Sequence, residues 1–212
     1  MTLKLGGVRL TVDASRAELT SYWEIWHERA YDTVPGFSSD GLECVVDVGA
    51  NVGAFALYQA LKKKAKMVVA FEPSPNTFRR LAANVALNSV HTVRTMNAAV
   101  GESCGTLSFL EAPFSMNSRV TEIADDGAVS VPCVTLDSSL KSLGIGKVDL
   151  LKIDTEGYEM QVLKGASEAL ERTERIVMEI HRDAEKREFD LLLLPRGFRF
   201  VTREAGLLFY TR

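Results

Sequence analysis

The sequence predicts an α/β fold built on a mostly parallel sheet flanked by helices. Short β-branched runs alternate with longer amphipathic stretches. Val148 to Ile153 is a near-continuous apolar run, as suits a strand buried on both faces, and the chain closes on two strand-like segments close together across Glu204-Ala205-Gly206, a link short enough for a hairpin. The chain has 212 residues, 46% of them hydrophobic and 25% charged. A single domain of this length buries roughly 70% of the surface its unfolded chain exposes. The six prolines are scattered, and no repeat or low-complexity tract marks a linker, so one domain over residues 1–212 is expected.

Taken in order, Leu3 to Val12 reads as a small hairpin around Gly6 and Gly7. Trp23, Trp26, His27, Ala30 and Tyr31 recur at helical spacing and form one face of a helix. A strand over Cys44 to Val48 leads into a helix over Gly53 to Lys64, whose terminal Lys62-Lys63-Lys64 lies where the helix dipole favours cations. A strand over Met67 to Phe71, a helix over Asn76 to Asn88 and a strand over Thr92 to Asn97 follow, then an extended piece over Gly105 to Leu110. Glu111 to Gly127 is polar and aperiodic, a long loop of the kind that often carries function. Asp137 reads as a helix N-cap. After the apolar strand come a helix over Glu159 to Glu171, a strand over Ile176 to Ile180 and a charged helix over Asp183 to Leu194. The strands Phe198 to Thr202 and Leu207 to Thr211 close the chain as an antiparallel pair.

Composition narrows the function. With 25 basic and 28 acidic residues the net charge is −3, which argues against nucleic acid as partner. Three separated cysteines, without a C-x-x-C, support neither a disulfide framework nor a zinc site. No apolar run reaches membrane-span length and the amino terminus lacks a signal-peptide core. A soluble cytoplasmic protein with no membrane partner is expected.

The most informative stretch is VVDVGANVGAF, residues 45–55: an apolar strand, Asp47, then Gly49 and Gly53 opening a helix. Glycines permit a sharp turn and close approach of a ligand, and the N–H groups of the new helix attract an anionic group. At the end of the next strand Glu72, in AFEPSP, is placed to accept hydrogen bonds from both hydroxyls of a ribose. Nicotinamide dinucleotides and S-adenosylmethionine are both bound this way. The dinucleotide fingerprint G-x-G-x-x-G is not met, because Asn51 stands at the middle glycine. An acid beside the turn also suits a ligand with an ammonium and a sulfonium better than a pyrophosphate. Adenosylmethionine is the expected cofactor, with an NAD-dependent oxidoreductase or a non-catalytic donor-binding module as alternatives.

With VVDVGANVGAF, AFEPSPNTFRRLAANVALN, NAAVG, VPCVTLDSSL and VDLLKIDTEGYEMQVLKGA in order, the sequence resembles the FkbM family of S-adenosylmethionine-dependent methyltransferases from about Tyr31 to Arg212. The resemblance implies a Rossmann-like class I methyltransferase fold, a seven-stranded, mostly parallel sheet of order 3-2-1-4-5-7-6 with strand 7 antiparallel. It also implies O-methylation of a small molecule or sugar. Asp47, Gly49, Asn51 and Gly53 match the donor-binding turn and Glu72 the ribose-binding acid. Pro73 and Ser74 fall beside the adenine, and Asn97, Ala98 and Ala99 match the segment lining its pocket. Asp154 and Glu156, in KIDTEG, fall at the carboxyl end of strand four. The loop PFSMNSRV offers Ser115, Asn117 and Ser118 to the acceptor but lacks the glycine that the family often has there.

Methyl transfer to a hydroxyl needs in-line placement and removal of a proton. Asp154, Glu156, Glu179 and His181 lie where that base is required. Asp154 follows a buried strand, where an acid carries a desolvation cost; its alternative is capping the next helix. His181 titrates nearest neutrality and is otherwise a surface or capping residue. Asp154, Glu179 and His181 together permit a divalent metal without requiring one. Trp23, Trp26 and Tyr31 read as core packing or as a lid over donor and acceptor, Tyr31 being the acceptor contact. The donor-binding sheet takes about residues 44–212, leaving an amino-terminal hairpin and helix cap over 1–40. Acceptor choice then falls to that helix and one loop, or to a second subunit in a homodimer.

Overall fold

The computed structural model describes residues 1–212 except 6–7, 13, 16–17, 112–118, 122–127 and 181–182, and the side chains of all those described but 8–11, 119, 121 and 183–185. Its centre is a seven-stranded sheet made of β3 (Val45–Val48), β4 (Val68–Phe71), β5 (Val93–Met96), β10 (Leu150–Ile153), β11 (Arg175–Glu179), β12 (Arg199–Glu204) and β13 (Leu207–Thr211). They lie in the order β12-β13-β11-β10-β3-β4-β5. All neighbours run parallel except β13, which is antiparallel to both β11 and β12.

Alternation along each strand divides the core in two. Val45, Val68, Ala70, Leu150, Val177 and Phe209 face one side with Tyr22, Trp26, Phe55 and Leu81. Val46, Val48, Val69, Phe71, Leu151, Ile153, Ile176 and Met178 face the other with Leu136, Val162, Leu170 and Phe189. Helices α1 (Glu18–Trp23), α2 (Ala54–Leu57) and α3 (Pro75–Leu87) belong to the first layer; α4 (Leu136–Ser142), α5 (Glu159–Lys164), α6 (Ser167–Glu171) and α7 (Asp183–Leu193) belong to the second.

Several elements differ from their sequence reading, each for a local reason. The helix expected over Glu159 to Glu171 is two helices, because a Cβ on Gly165 would lie 1.9 Å from the Gly101 carbonyl oxygen and the chain turns at this contact. Asp137 does cap a helix, but a different one: it accepts from the N–H groups of Glu168 and Ala169 at the start of α6, while Thr135 caps α4. The helix after Gly53 continues past α2 as a π-helical turn over Tyr58–Lys62.

The amino-terminal aromatic face also rotates. Helix α1 extends as a π-helical turn to Glu28 and stops at Arg29, which is left-handed at φ 57°. Tyr31 is therefore beyond the helix, and the inward residues are Tyr22, Ile25 and Trp26, with Trp23 49% exposed. Ser15 and Glu18 form a capping box at the start of α1, and Glu18 pairs with Arg80 of α3. Tyr22 donates to the Val52 carbonyl and Trp26 Nε1 to that of Ala54, which pins the helix onto the glycine turn.

Most of the loop read over Glu111 to Gly127 lies outside the described residues, but its Arg119–Thr121 belongs to a second sheet that the sequence did not reveal. It pairs β6 (Ala99–Val100), β9 (Ala128–Val134), β7 (Gly105–Leu110) and β8 (Arg119–Thr121) in that order around Phe109 and Val131. The hairpin at the amino terminus is present as β1 (Thr2–Leu5) and β2 (Val8–Thr11). No described helix is long and apolar enough to cross a membrane.

Gly49 tests how closely the central strands must approach. It has φ +79°, and a Cβ there would lie 1.7 Å from the Asp154 carbonyl oxygen. Gly49→Ala is expected to cost about 3 kcal/mol or more in urea unfolding. Gly146→Ala, where nothing lies within 4 Å of the added carbon, should stay within about 0.5 kcal/mol of wild type.

Candidate active site

The sheet order reverses between β3 and β10, and open α/β sheets bind ligands outside the carboxyl ends of strands at such a point. A cavity of about 420 Å³ lies there. Its wall brings together Gly49, Asn51, Glu72, Pro73, Ala98, Ala99, Asp154, Glu156 and Tyr31 from the sequence reading. Asp47 lies beneath it, fully buried. Gly53, Ser74 and Asn97 stay outside the wall, while His181, Ser115, Asn117 and Ser118 lie outside the described residues.

The excluded residues have other partners. Ser74 caps α3, accepting from Thr77 N–H, and its hydroxyl donates to Glu111. Asn97 donates to the carbonyls of Glu72 and Pro73 at 2.9 and 3.0 Å, fixing the loop that carries Glu72. Gly53, at φ +92°, holds the turn where a Cβ would meet Leu81 at 2.7 Å.

Glu72 is oriented from two directions. Asn51 N–H donates to its Oε2 and Ser74 N–H to its Oε1, both at 2.9 Å. Burial pushes its carboxyl up to about 7 against the pull of those two donors. Asn51 occupies the left-handed region at φ 50°, which asparagine tolerates better than most residues. That explains how the turn dispenses with a middle glycine. Its Oδ1 is buried with no hydrogen-bond partner among the described residues, an acceptor suited to a ligand's N–H or O–H.

The N–H groups of the turn itself, ahead of the helix, are already taken. Gly49 and Ala50 donate to the Phe71 carbonyl, Asn51 to Glu72 and Gly53 to Ala50. The wall also carries six acids, Glu24, Glu28, Glu72, Asp154, Glu156 and Glu179, against one lysine, Lys152, among the described residues. Such a site favours cationic over anionic ligands.

Lys152 is a site residue the motif reading passed over. It stands opposite Asp47 in the β10–β3 register, its side chain 5% exposed, with Nζ 3.1 Å from Asp47 and 3.2 Å from Asp154. It also donates to the Gly49 carbonyl at 2.8 Å. Burial alone would lower its pKa, but the two carboxylates raise it well above the ordinary lysine range. A lysine inside an otherwise apolar strand was the available signal, since burial without partners is costly. Glu159 is a second omission: fully buried, it accepts from Thr155 N–H, Thr155 Oγ1 and Gly157 N–H, and so shapes the loop bearing Glu156. Glu156 itself is left-handed at φ 55°. Phe109 and Val120 of the second sheet complete the wall. Among the described residues, no group of three His, Cys, Asp or Glu side chains is arranged to hold a metal ion.

An antiparallel strand set between the last two positions of a parallel sheet, with the cavity at the switch point, is the arrangement that the resemblance to a methyltransferase implies. Solved structures agree on the fold: methyltransferase FkbM from Methylobacillus flagellatus superposes with a TM-score of 0.62 at 18% identity, over 94% of this chain and 56% of that one. This chain thus spans little more than half the length of that structure. The chain belongs to the methyltransferase FkbM domain family, whose model matches residues 47–200. Among curated relatives, hexuronic acid methyltransferase AglP of Haloferax volcanii is 29% identical, covering 91% of this chain and 84% of its own. Methyltransferase sdnD of Sordaria araneosa is 31% identical over 87% and 83%. The 31-O-demethyl-FK506 methyltransferase FkbM of Streptomyces tacrolimicus is 29% identical over 97% and 92%.

The buried triad yields a stability prediction. Lys152→Met leaves Asp47 and Asp154 without their cation and should cost about 3–5 kcal/mol in urea unfolding at pH 7. The deficit should shrink as pH falls through the carboxylate range, because protonation removes the unpaired charges. A deficit that grows on acidification would contradict the pairing.

Proposed function

We propose that this methyltransferase uses S-adenosylmethionine to methylate a hydroxyl of a small molecule or saccharide. The observation that carries the donor assignment is Glu72, held by two backbone N–H groups at the carboxyl end of β4 with its remaining lone pairs available to ribose hydroxyls. The absence of spare N–H groups at positions 49, 50, 51 and 53, together with the acidic wall, disfavours a dinucleotide pyrophosphate. Adenosylmethionine, when bound, supplies an electrophilic methyl group on a sulfonium.

In this reading Gly49, Ala50 and Asn51 line the donor's amino-acid end, with Asp47 and Lys152 supporting the turn from below. Pro73, Ala98 and Ala99 flank the adenine. Ser74 and Asn97 act indirectly by fixing the Glu72 loop. Asp154 and Glu156 border the acceptor, as does Tyr31, whose ring packs on Phe55 at 4.9 Å between centroids. The sequence-based assignments of His181 to the chemistry and of Ser115, Asn117 and Ser118 to the acceptor belong to the same proposal. Its saccharide or natural-product acceptor is supported by the named activities of AglP and of the Streptomyces enzyme.

Calorimetric titration tests the donor. Glu72→Ala should weaken adenosylmethionine binding by about tenfold to a hundredfold, the worth of one hydrogen bond to a charged group. The carboxylate form is the one that accepts from ribose, so wild-type affinity should fall as pH drops below about 7, the value to which burial raises Glu72, and Glu72→Gln should lose that dependence. Equal affinity in wild type and Glu72→Ala, or binding of NAD and not adenosylmethionine, would overturn the reading.

A further inference from the structure

We infer that Glu179, rather than Asp154, is the general base that takes the proton of the acceptor hydroxyl; this rests on the adenosylmethionine reading above. Strands β10 and β11 are parallel neighbours with Ile153 opposite Met178, so Asp154 and Glu179 emerge side by side at the carboxyl edge, and both line the cavity. Their environments differ. Asp154 is ion-paired with Lys152 at 3.2 Å, so its carboxylate is already engaged by a cation. Glu179 has no ion pair within reach among the described residues, and its carboxyl is hydrogen-bonded to that of Asp154.

The groups facing Glu179 reinforce the difference. Asp154 and Glu156 approach from the end of β10 and the loop after it, Lys152 from β10 itself, and Tyr31 from the segment after α1. On the other side its register partner on β13 is the apolar Leu207. Burial first, and then the negative charge of Asp154, push Glu179 up to about 8, near the working range of a general base. Of the two neighbouring carboxyls, Lys152 thus engages Asp154, and the charge of Asp154 raises the proton affinity of Glu179.

The step balances as a displacement. A lone pair of the acceptor oxygen forms the bond to the methyl carbon as the carbon–sulfur bond breaks. That bond's electrons stay on sulfur, giving adenosylhomocysteine. The hydroxyl proton moves to the Glu179 carboxylate, and water removes it before the next turnover. The positive charge lost from sulfur is the charge gained by the carboxyl, so the cavity's net charge is unchanged.

The placement can be tested without knowing the acceptor, by comparing adenosylmethionine with adenosylhomocysteine across pH. The two share every ribose and adenine contact and differ by the methyl group and the sulfonium charge. In wild type the ratio of their affinities should shift about tenfold toward adenosylmethionine between roughly pH 6.5 and pH 9.5, as Glu179 ionises beside the sulfonium. Glu179→Gln should bind adenosylhomocysteine as wild type does, which certifies its fold, and show no such shift. Turnover supplies the second arm: adenosylhomocysteine release with methyl hexosides and methyl hexuronosides should fall about a hundredfold or more in Glu179→Gln, with Glu179→Asp retaining a rate that rises with pH. A flat ratio in wild type, the same shift in Glu179→Gln, or release from Glu179→Gln within a few-fold of wild type would overturn the assignment of the base. Failure of wild type to bind either nucleoside would instead overturn the donor reading.

Discussion

A lysine ammonium between two carboxylates, inside the sheet, is the constraint to which the rest of the active site is fitted. Lys152 reaches Asp47 across the β3–β10 pair, Asp154 at its own strand's end and the Gly49 carbonyl above. Charges so buried are tolerated only when their partners are well placed, so β3 and β10 must be neighbours in one register. Once they are, Gly49 has no room for a side chain, the turn after β3 takes its left-handed course, and Asn51 N–H arrives at Glu72. The glycine turn and the acidic edge at Asp154 are therefore two ends of one electrostatic cluster.

Much of this was legible in the chain. The seven strands of the main sheet declared themselves through β-branched runs, and Asp47, Gly49 and Glu72 through spacing around the first two of them. What escaped has physical causes. The strand Ala128–Val134 carries serine, proline and cysteine among its valines, so its period-two pattern is weak, and the second sheet went unseen with it. Asp137 has the composition and position of a cap for its own helix, yet long-range packing delivers it to α6. Trp23 and Tyr31 share helical spacing with Trp26, but the left-handed Arg29 ends the helix between them, and propensity does not foresee that stop.

The glycine turn shows how one sequence feature can have two explanations. Close approach of a ligand was the expected reason for Gly49; the structure supplies another, the Asp154 carbonyl oxygen where a Cβ would stand. Likewise the N–H groups of Gly49, Ala50 and Asn51 are taken by the Phe71 carbonyl and by Glu72. The turn is best understood as the tight closure of a strand pair that, as a by-product, presents a carboxylate and an amide oxygen to the cavity.

Helix α1 is bonded to the backbone of that same turn, through Tyr22 to Val52 and Trp26 to Ala54, while Ser21, Glu24, Ile25 and Glu28 form part of the cavity wall. In the reading proposed above, the surface that meets the acceptor is thereby hydrogen-bonded to the loop that meets the donor. In such an arrangement, acceptor preference cannot drift during evolution without disturbing donor affinity. On that reading, a chimera that exchanges this helix without the residues flanking the glycine turn would lose grip on both ligands together.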